Sequence, residues 1–319
     1  MAIVKPKLGL RGNEPIELLR FIRQDEPQCR WATNKQGKSM TSFSRPMVMT
    51  ERQRRFRETY RANISPFYNG LLHVGIMYAV GISLLVYCFD QLDLATWAWL
   101  MVLPVAVAGN FGEWAMHKYV MHRHIDVFAL RAIYDRHTRQ HHQYFTDTDY
   151  TIDSVREFRI VFFPWRVLTV LGLGGGAVAL VCAYVFGANA GYIAYMTVIG
   201  HYVLYETFHY CCHIQENAFV RNMPFINTIR RHHAAHHNLG IMMHKNMNLT
   251  FPLADWLMGT SDVKRSLLGT LFNGFDESHI DPALKPLIEK FRDGQVQQNS
   301  ASLDGPLLNE QERAALGGA

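Results

Sequence analysis

The chain has 319 residues, of which 49% are hydrophobic, and a formal net charge of +5 at pH 7. This length fits one large or two modest domains, and neither the composition nor the small net charge indicates a nucleic-acid-binding protein. The five cysteines are odd in number and form no C-x-x-C pair, which argues against a disulfide framework and a thiolate zinc site. Histidine is the unusual residue, because 14 of the 16 lie between His117 and His244.

Basic residues dominate the N-terminal part, where residues 1–66 hold 14 Lys and Arg against 6 Asp and Glu. Within it, Ile16, Leu19 and Ile22 recur every three residues beside arginines. This pattern fits a short basic amphipathic helix on an anionic membrane surface, and it fits a solvated, partly disordered leader equally well. We therefore treat residues 1–69 as a basic cytosolic leader.

Four uncharged runs follow, at residues 70–89, 94–112, 167–186 and 188–205. Each is close to the roughly 20 residues that cross a bilayer as a helix. The two short connections inside these pairs contain no Lys or Arg, so the positive-inside rule places both termini and residues 117–159 in the cytosol. We expect an all-α integral membrane protein with four transmembrane helices and a cytosolic histidine-rich helical cap over residues 70–262. Residues 263–319 are expected to form a surface helix and a disordered tail.

The histidines group into four clusters with spacings near one helical turn. The ten candidate metal ligands are His117, His122, His137, His141, His142, His209, His213, His233, His236 and His237. Neutral imidazole binds zinc, copper, iron or nickel. Ten ligands shared by two ions give five each and leave one open octahedral position per ion. His232 competes with His233 for the last cluster, and we prefer His233.

Two glutamates have the spacing of supporting residues. Glu113 lies four residues before His117, and Glu206 lies three before His209. On a helix each carboxylate is expected to accept the free ring N–H of its histidine and fix its tautomer. His201, two turns before His209, is expected to make a hydrogen bond between helices or a contact in a substrate channel.

The motifs resemble the fatty acid hydroxylase and sterol desaturase superfamily of membrane di-metal enzymes. Residues 113–122 resemble its first box in the H-x4-H form of fatty acid 2-hydroxylases, and 137–142, 205–213 and 233–237 resemble the remaining boxes. Residues 255–260 resemble the D-x-x-x-G-T ending, while Lys118, Asn248 and Ala254 depart from the family pattern.

The resemblance implies a di-iron centre, in which zinc can replace iron on purification, with O2 as co-substrate. It also implies a catalytic role for Asp255 beside Glu113 and Glu206. The electron donor would be a separate protein, either a ferredoxin or a cytochrome b5-like protein with its reductase.

These features predict a lipid-hydroxylating membrane oxygenase acting on an acyl chain or a head group, in a bacterial inner membrane rather than the endoplasmic reticulum. Desaturation or oxidative decarboxylation of a fatty acid by the same site is the nearest alternative. A membrane metal carrier or sensor is the alternative from another class, although a transporter would place polar groups near the bilayer midplane. The sequence does not indicate the lipid or the oligomeric state.

Overall fold

The computed structural model describes residues 49–264 and 278–292. This part of the chain is helical, and its only β-type pairing is an isolated antiparallel bridge between Val263 and Ile280. The α-helices in chain order are α1 (Glu51–Ala62), α2 (Gly70–Asp90), α3 (Val102–Met116), α4 (Phe128–Arg136), α5 (His142–Tyr144), α6 (Phe158–Val161), α7 (Trp165–Phe186), α8 (Ala188–His213), α9 (Ala218–Asn222), α10 (Pro224–His236), α11 (Leu253–Leu257) and α12 (Lys285–Arg292). Short 3₁₀-helices cover Trp97–Met101 and Val155–Glu157, and π-helical turns cover His117–Met121 and His137–His141.

The expected all-α class is therefore confirmed for the described residues, but the expected four spans are met only in part. Two helices, α2 and α7, are long and apolar enough to cross a membrane, each with a mean hydropathy of 2.0. The second apolar run is divided, because the turn Trp97–Met101 precedes the 15 residues of α3. The fourth run continues past its expected end at residue 205 into the polar segment that closes α8 at His213.

Helix α8 lies at the centre of the helical bundle, where it packs against α2, α3, α7 and α10. Small residues allow the closest of these contacts. A Cβ atom on Gly191 would meet the carbonyl oxygen of Ala179 at 2.8 Å, and one on Gly175 would meet Val198 Cγ1 at 2.9 Å. Gly175 on α7 and Gly191 on α8 therefore allow the two helices to pack closely, as small residues do in membrane bundles.

Helix α1 packs into the cap, although the sequence assigns it to the leader. Its Gln53 and Arg57 are buried, and Arg57 donates to the Tyr144 carbonyl at 2.8 Å and to Asp149 Oδ1 at 3.2 Å. The predicted amphipathic helix at residues 15–23 lies outside the described residues.

Helix α12 falls in the segment predicted to hold a surface helix, and its inner face is buried. Leu287, Ile288 and Phe291 pack with Ile241 and with the residues of the bridge in one apolar cluster. The predicted tail, residues 295–319, lies outside the described part of the chain.

Candidate metal centre

The ten histidines proposed as ligands come together in one buried region. Five of them, from three of the sequence clusters, place a side-chain nitrogen within 4.8 Å of one another: His117, His122, His137, His142 and His236. A second group of four meets the same limit: His141, His209, His213 and His233. The tenth, His237, lies beside both groups, with its Nε2 atom 3.0 Å from His233 Nε2 and its ring centroid 4.5 Å from that of His142.

Each group therefore draws ligands from distant parts of the chain. Neighbouring residues also separate, since His142 belongs to the five-histidine group and His141 to the four-histidine group. His233 and His236 divide in the same way. The described residues therefore contain two adjacent histidine groups that could each hold a metal ion. The sequence predicted five histidines for each ion, whereas the structure places five in one group, four in the other and His237 beside both.

Two π-helical turns bring His117 together with His122, and His137 together with His142, in the five-histidine group. The His122 N–H donates to the His117 carbonyl at 3.1 Å, and the His142 N–H donates to the His137 carbonyl. In a π-turn the bond joins residues five apart, which widens the turn relative to an α-helix. The side chains at i and i+5 then point the same way, and their Nε2 atoms are 3.1 Å apart in both pairs.

The spacing of the Nε2 atoms fits metal ligands. In the five-histidine group, His117 Nε2 is 2.8 Å from His137 Nε2, and His122 Nε2 is 3.0 Å from His236 Nε2. In the other group, His213 Nε2 is 3.0 Å from His233 Nε2. Two nitrogens at right angles around an ion about 2.1 Å away are separated by about 3.0 Å, whereas tetrahedral ligands are separated by about 3.4 Å. Together with the 3.3 Å between Nε2 of His141 and His209, the observed separations run from 2.8 to 3.3 Å, which fits nitrogens that bind one ion.

The opposite ring nitrogens show that the Nε2 atoms carry lone pairs. Nδ1 of His117, His236 and His213 lies 2.5, 2.9 and 2.7 Å from the backbone carbonyls of Met247, Lys245 and Tyr150. A carbonyl only accepts, so each Nδ1 carries the hydrogen and each Nε2 presents a lone pair to its neighbours. Converging lone pairs repel one another, and a bound cation removes that repulsion.

Burial keeps these imidazoles in the neutral form that binds metals. It lowers the pKa of His122, His137, His142 and His236 well below the ordinary value of 6.5, and the neighbouring histidines lower it further. A ligating histidine must be neutral, so the protein provides the ligand form at neutral pH without a proton being displaced.

The prediction that Glu113 binds the ring of His117 and Glu206 that of His209 is wrong. Glu113 receives hydrogen bonds from the Thr250 N–H at 3.0 Å and the Thr250 hydroxyl at 2.6 Å, and its Oε2 lies 3.0 Å from His201 Nε2. His117 uses the Met247 carbonyl instead. Helical spacing places Glu113 and His117 on one face of the helix. The segment after residue 244 supplies the hydrogen-bond partners of both side chains instead.

Glu206 likewise serves the backbone. Its Oε1 accepts the Phe163 N–H at 3.1 Å, at the start of the segment leading into α7, and no hydrogen bond joins it to His209. It fixes the junction between α6 and α7 against α8. The expected role of His201 in joining helices is confirmed by its contact with Glu113 across α8 and α3.

Asp255 is buried and contacts His232, whose Nε2 lies 2.9 Å from Asp255 Oδ2. His232 therefore points away from both ion sites, whereas the adjacent His233 points into one of them. Cys211 and Cys212 are buried thiols outside both groups, in keeping with a packing role. His124 is exposed and lies outside both groups.

Sequence reasoning missed the backbone carbonyls that orient the ligands. Besides those of Lys245, Met247 and Tyr150, the carbonyls of Ile160 and Phe145 lie 3.1 and 3.2 Å from Nδ1 of His141 and His237. Carbonyls are present at every position, so no residue type could have marked these five.

Comparison of the chain with protein-family models, curated proteins and solved structures gives no match.

Proposed function

We propose that this protein is a membrane-bound, O2-dependent di-iron oxygenase that hydroxylates a lipid. The observation that carries the proposal is the convergence of ten buried histidines, nine of them in two adjacent groups and His237 beside both, with Nε2 atoms 2.8 to 3.3 Å apart within the groups. A structural zinc ion is closed by four ligands. One group here has five imidazoles, and the other has four with His237 beside it. These numbers exceed the four ligands of a structural zinc ion and suit iron.

Iron ions held by these histidines would supply the oxidation of an unactivated C–H bond, for which no side chain is a sufficient acid, base or nucleophile. The protein itself has three tasks. The histidine Nε2 atoms hold the ions, the carbonyls bonded to Nδ1 fix the ring orientations, and burial of all ten side chains excludes bulk water. These tasks are common to hydroxylation, desaturation and oxidative decarboxylation.

The outer surface of the helices supports a membrane location and, as the finer proposal, four spans, while the proposed cytosolic position of the termini rests on the distribution of Lys and Arg along the sequence. Exposed apolar side chains continue from α2 and α7 onto the divided second run, where Leu100 and Leu103 are 74% and 72% exposed. Such a surface is stable only against lipid or another apolar partner. The central position of α8 explains its lower hydropathy, because its polar side chains face other helices.

A second apolar surface supports a lipid substrate. Phe251 packs against Phe208, next to the ligand His209, with ring centroids 6.0 Å apart. Exposed side chains of Trp256, Leu257 and Met258 follow it on and after α11. This surface lies beside the end of α8 that carries two ligands, and we propose that it receives the acyl chain of the substrate.

The test combines metal analysis with lipid analysis of cells that express the full chain together with a ferredoxin or cytochrome b5-like donor and its reductase. The wild type is expected to contain two iron ions per chain and to produce a hydroxylated lipid. His209→Ala, which removes a ligand of the four-histidine group, is expected to lose both the product and about one ion. His124→Ala is the matched control, since it removes an exposed histidine outside both groups.

The lipid product and the metal content together distinguish hydroxylation from desaturation, decarboxylation and metal transport. An unsaturated or shortened chain in place of the hydroxylated lipid would identify desaturation or decarboxylation at the same site. Fewer than two ions in iron-replete preparations, with an unchanged lipid profile, would overturn the proposal. Two ions together with metal-dependent uptake into vesicles and no lipid product would identify a carrier.

A further inference from the structure

Four consecutive backbone N–H groups beside the five-histidine group bind to two buried carboxylates. We call residues 245–250 the carbonyl strap. Asp255 Oδ1 accepts the Met247 N–H at 2.9 Å, and Asp255 Oδ2 accepts the Asn248 N–H at 2.6 Å. Glu113 Oε1 accepts the Leu249 N–H and, at 3.0 Å, the Thr250 N–H. Hydrogen bonds to an ionised group are the stronger kind, so the backbone of the strap is fixed along one side.

The carbonyls of the same strap orient two ligands of one ion site. Lys245 O and Met247 O are the partners of His236 Nδ1 and His117 Nδ1. A displacement of the strap therefore turns both imidazole rings together. Since both belong to the five-histidine group, the effect would fall on one of the two ion sites.

Asn246, between these two carbonyls, is held by its backbone N–H and by both polar atoms of its side chain. Its N–H donates to Thr260 O at 2.7 Å, its Nδ2 donates to His232 O at 3.0 Å, and its Oδ1 accepts the Asp262 N–H at 2.9 Å. Its φ of 59° lies in the left-handed region, which asparagine tolerates better than most residues. The bend at Asn246 separates the Lys245 and Met247 carbonyls in direction, so that each reaches a different ring.

The two carboxylates are themselves anchored by two histidines that are not among the ten proposed ligands, the buried His232 and the partly exposed His201. His232 Nε2 is 2.9 Å from Asp255 Oδ2, and His201 Nε2 is 3.0 Å from Glu113 Oε2. A threonine hydroxyl adds a bond to each, from Thr260 to Asp255 at 2.5 Å and from Thr250 to Glu113 at 2.6 Å. Both carboxylates thus have the same arrangement of one histidine, one hydroxyl and two backbone N–H groups.

We propose that Asp255 and Glu113 are positioning residues that act on the five-histidine ion site through the carbonyl strap, without contacting a ligand. This inference rests on the proposed metal centre. It assigns the two carboxylates to one shared function and predicts that their loss weakens one ion while sparing the other. A residue that only stabilises the fold would affect both ions or neither.

The experiment measures Co²⁺ binding to the purified full chain in detergent, using metal stoichiometry, a chelator titration and the Co²⁺ absorption spectrum. Asp255→Asn keeps the side-chain shape but replaces one acceptor with a donor facing the strap. We expect one of two Co²⁺ ions to bind about 10- to 100-fold more weakly, the range found when outer hydrogen-bond partners of metal ligands are removed. Its absorption bands should shift, while those of the second ion remain.

Glu113→Gln is the second variant. If Asp255→Asn does not fold, the same measurements on Glu113→Gln test the proposal. Glu157→Gln is the matched control. Glu157 is equally buried and accepts the Asp153 N–H at 3.0 Å, but it contacts none of the ten histidines. We expect this control to keep both ions at wild-type affinity whatever its unfolding temperature.

Wild-type affinity for both ions in folded Asp255→Asn or Glu113→Gln would overturn the inference, as would equal weakening of both ions. Fewer than two Co²⁺ ions bound to the wild type would instead overturn the proposed metal centre, so the two failures are distinguishable.

Discussion

His232 and His233 provide the sharpest test of the ligand assignment, because they are adjacent in sequence and almost equally buried, at 2% and 1% exposure. His233 Nε2 lies 3.0 Å from Nε2 of His213 and 3.0 Å from Nε2 of His237. His232 Nε2 instead faces Asp255 at 2.9 Å. Replacing each in turn with glutamine makes the same chemical change in the same helix, with only one of the two residues at an ion site.

His233→Gln removes one donor nitrogen from the four-histidine group. Loss of an outer hydrogen-bond partner weakens metal binding by about 10- to 100-fold, and loss of a direct ligand should exceed this. The corresponding change in binding free energy is therefore greater than about 1.4 to 2.8 kcal/mol. In His232→Gln, the glutamine amide can still donate a hydrogen bond toward Asp255, so both ions should stay bound.

Stability alone does not separate these variants, since either one leaves a buried polar group poorly matched and lowers the free energy of unfolding by about 1 to 3 kcal/mol. The deciding measurement is metal content per chain after gel filtration, followed by a chelator titration. Two ions in His232→Gln and about one in His233→Gln are expected. The reverse result, or equal loss from both, would refute the assignment.

Three further predictions concern stability in detergent. Chelation should lower the unfolding temperature, because two ions at free concentrations of 100 times their Kd contribute about 5 kcal/mol together, and an unchanged temperature would contradict the metal centre. Lowering the pH should destabilise the fold, because burial lowers the pKa of His137 and His142 in the folded protein well below the ordinary value of 6.5. Below about pH 6.5 the unfolded chain binds protons that the folded chain does not, so the free energy of unfolding falls by about 1.4 kcal/mol per pH unit for each histidine. Above about pH 7 this loss is absent. Denaturant titrations at pH 7 and pH 5.5 check this, and greater stability at pH 5.5 would oppose it. Asp262→Asn should reduce the free energy of unfolding by about 3 to 5 kcal/mol, since Asp262 and Arg231 form a buried ion pair at 2.8 Å. Glu51→Gln, in the exposed pair with Arg55, is the control and should have no measurable effect, so equal losses would argue against this reasoning.

Asp262 also shows how a buried charge is accommodated near the site. Burial alone would raise the pKa of its carboxyl, but the Arg231 guanidinium, in two hydrogen bonds of 2.8 and 2.9 Å, keeps the pKa below its ordinary value. The carboxylate therefore stays ionised across the physiological range. Its backbone N–H donates to Asn246, so this ion pair supports the same strap that orients the ligands.

The identity of the ten clustered histidines could be predicted because histidine is infrequent and its spacing is informative. Pairs such as His209 and His213, four residues apart on α8, lie on one face of a regular helix. The choice of His233 over His232 agreed with the geometry, although the spacing of both to His236 and His237 was acceptable. Helical class followed from the long apolar runs, which leave few other ways to satisfy the backbone in a membrane.

The division between the two ion sites could not be predicted in this way. His141 and His142 are neighbours, and only the π-turn that aligns His137 with His142 sends them to different groups. The direct link from Glu113 to His117 was the natural reading of a helix taken alone. It failed because the carbonyl strap, distant in sequence, supplies a closer partner to each.

The sequence by itself determined the helical class, the apolar runs and the histidines that gather at the site, since these depend on residue type and periodic spacing along short segments. The tertiary structure decided which histidines share an ion site, how α8 is shielded by its neighbours, and which carbonyls and carboxylates hold each ring. The physical reason is that hydrogen bonds between distant segments depend on where the backbone runs, and a backbone carbonyl has the same chemistry at every position.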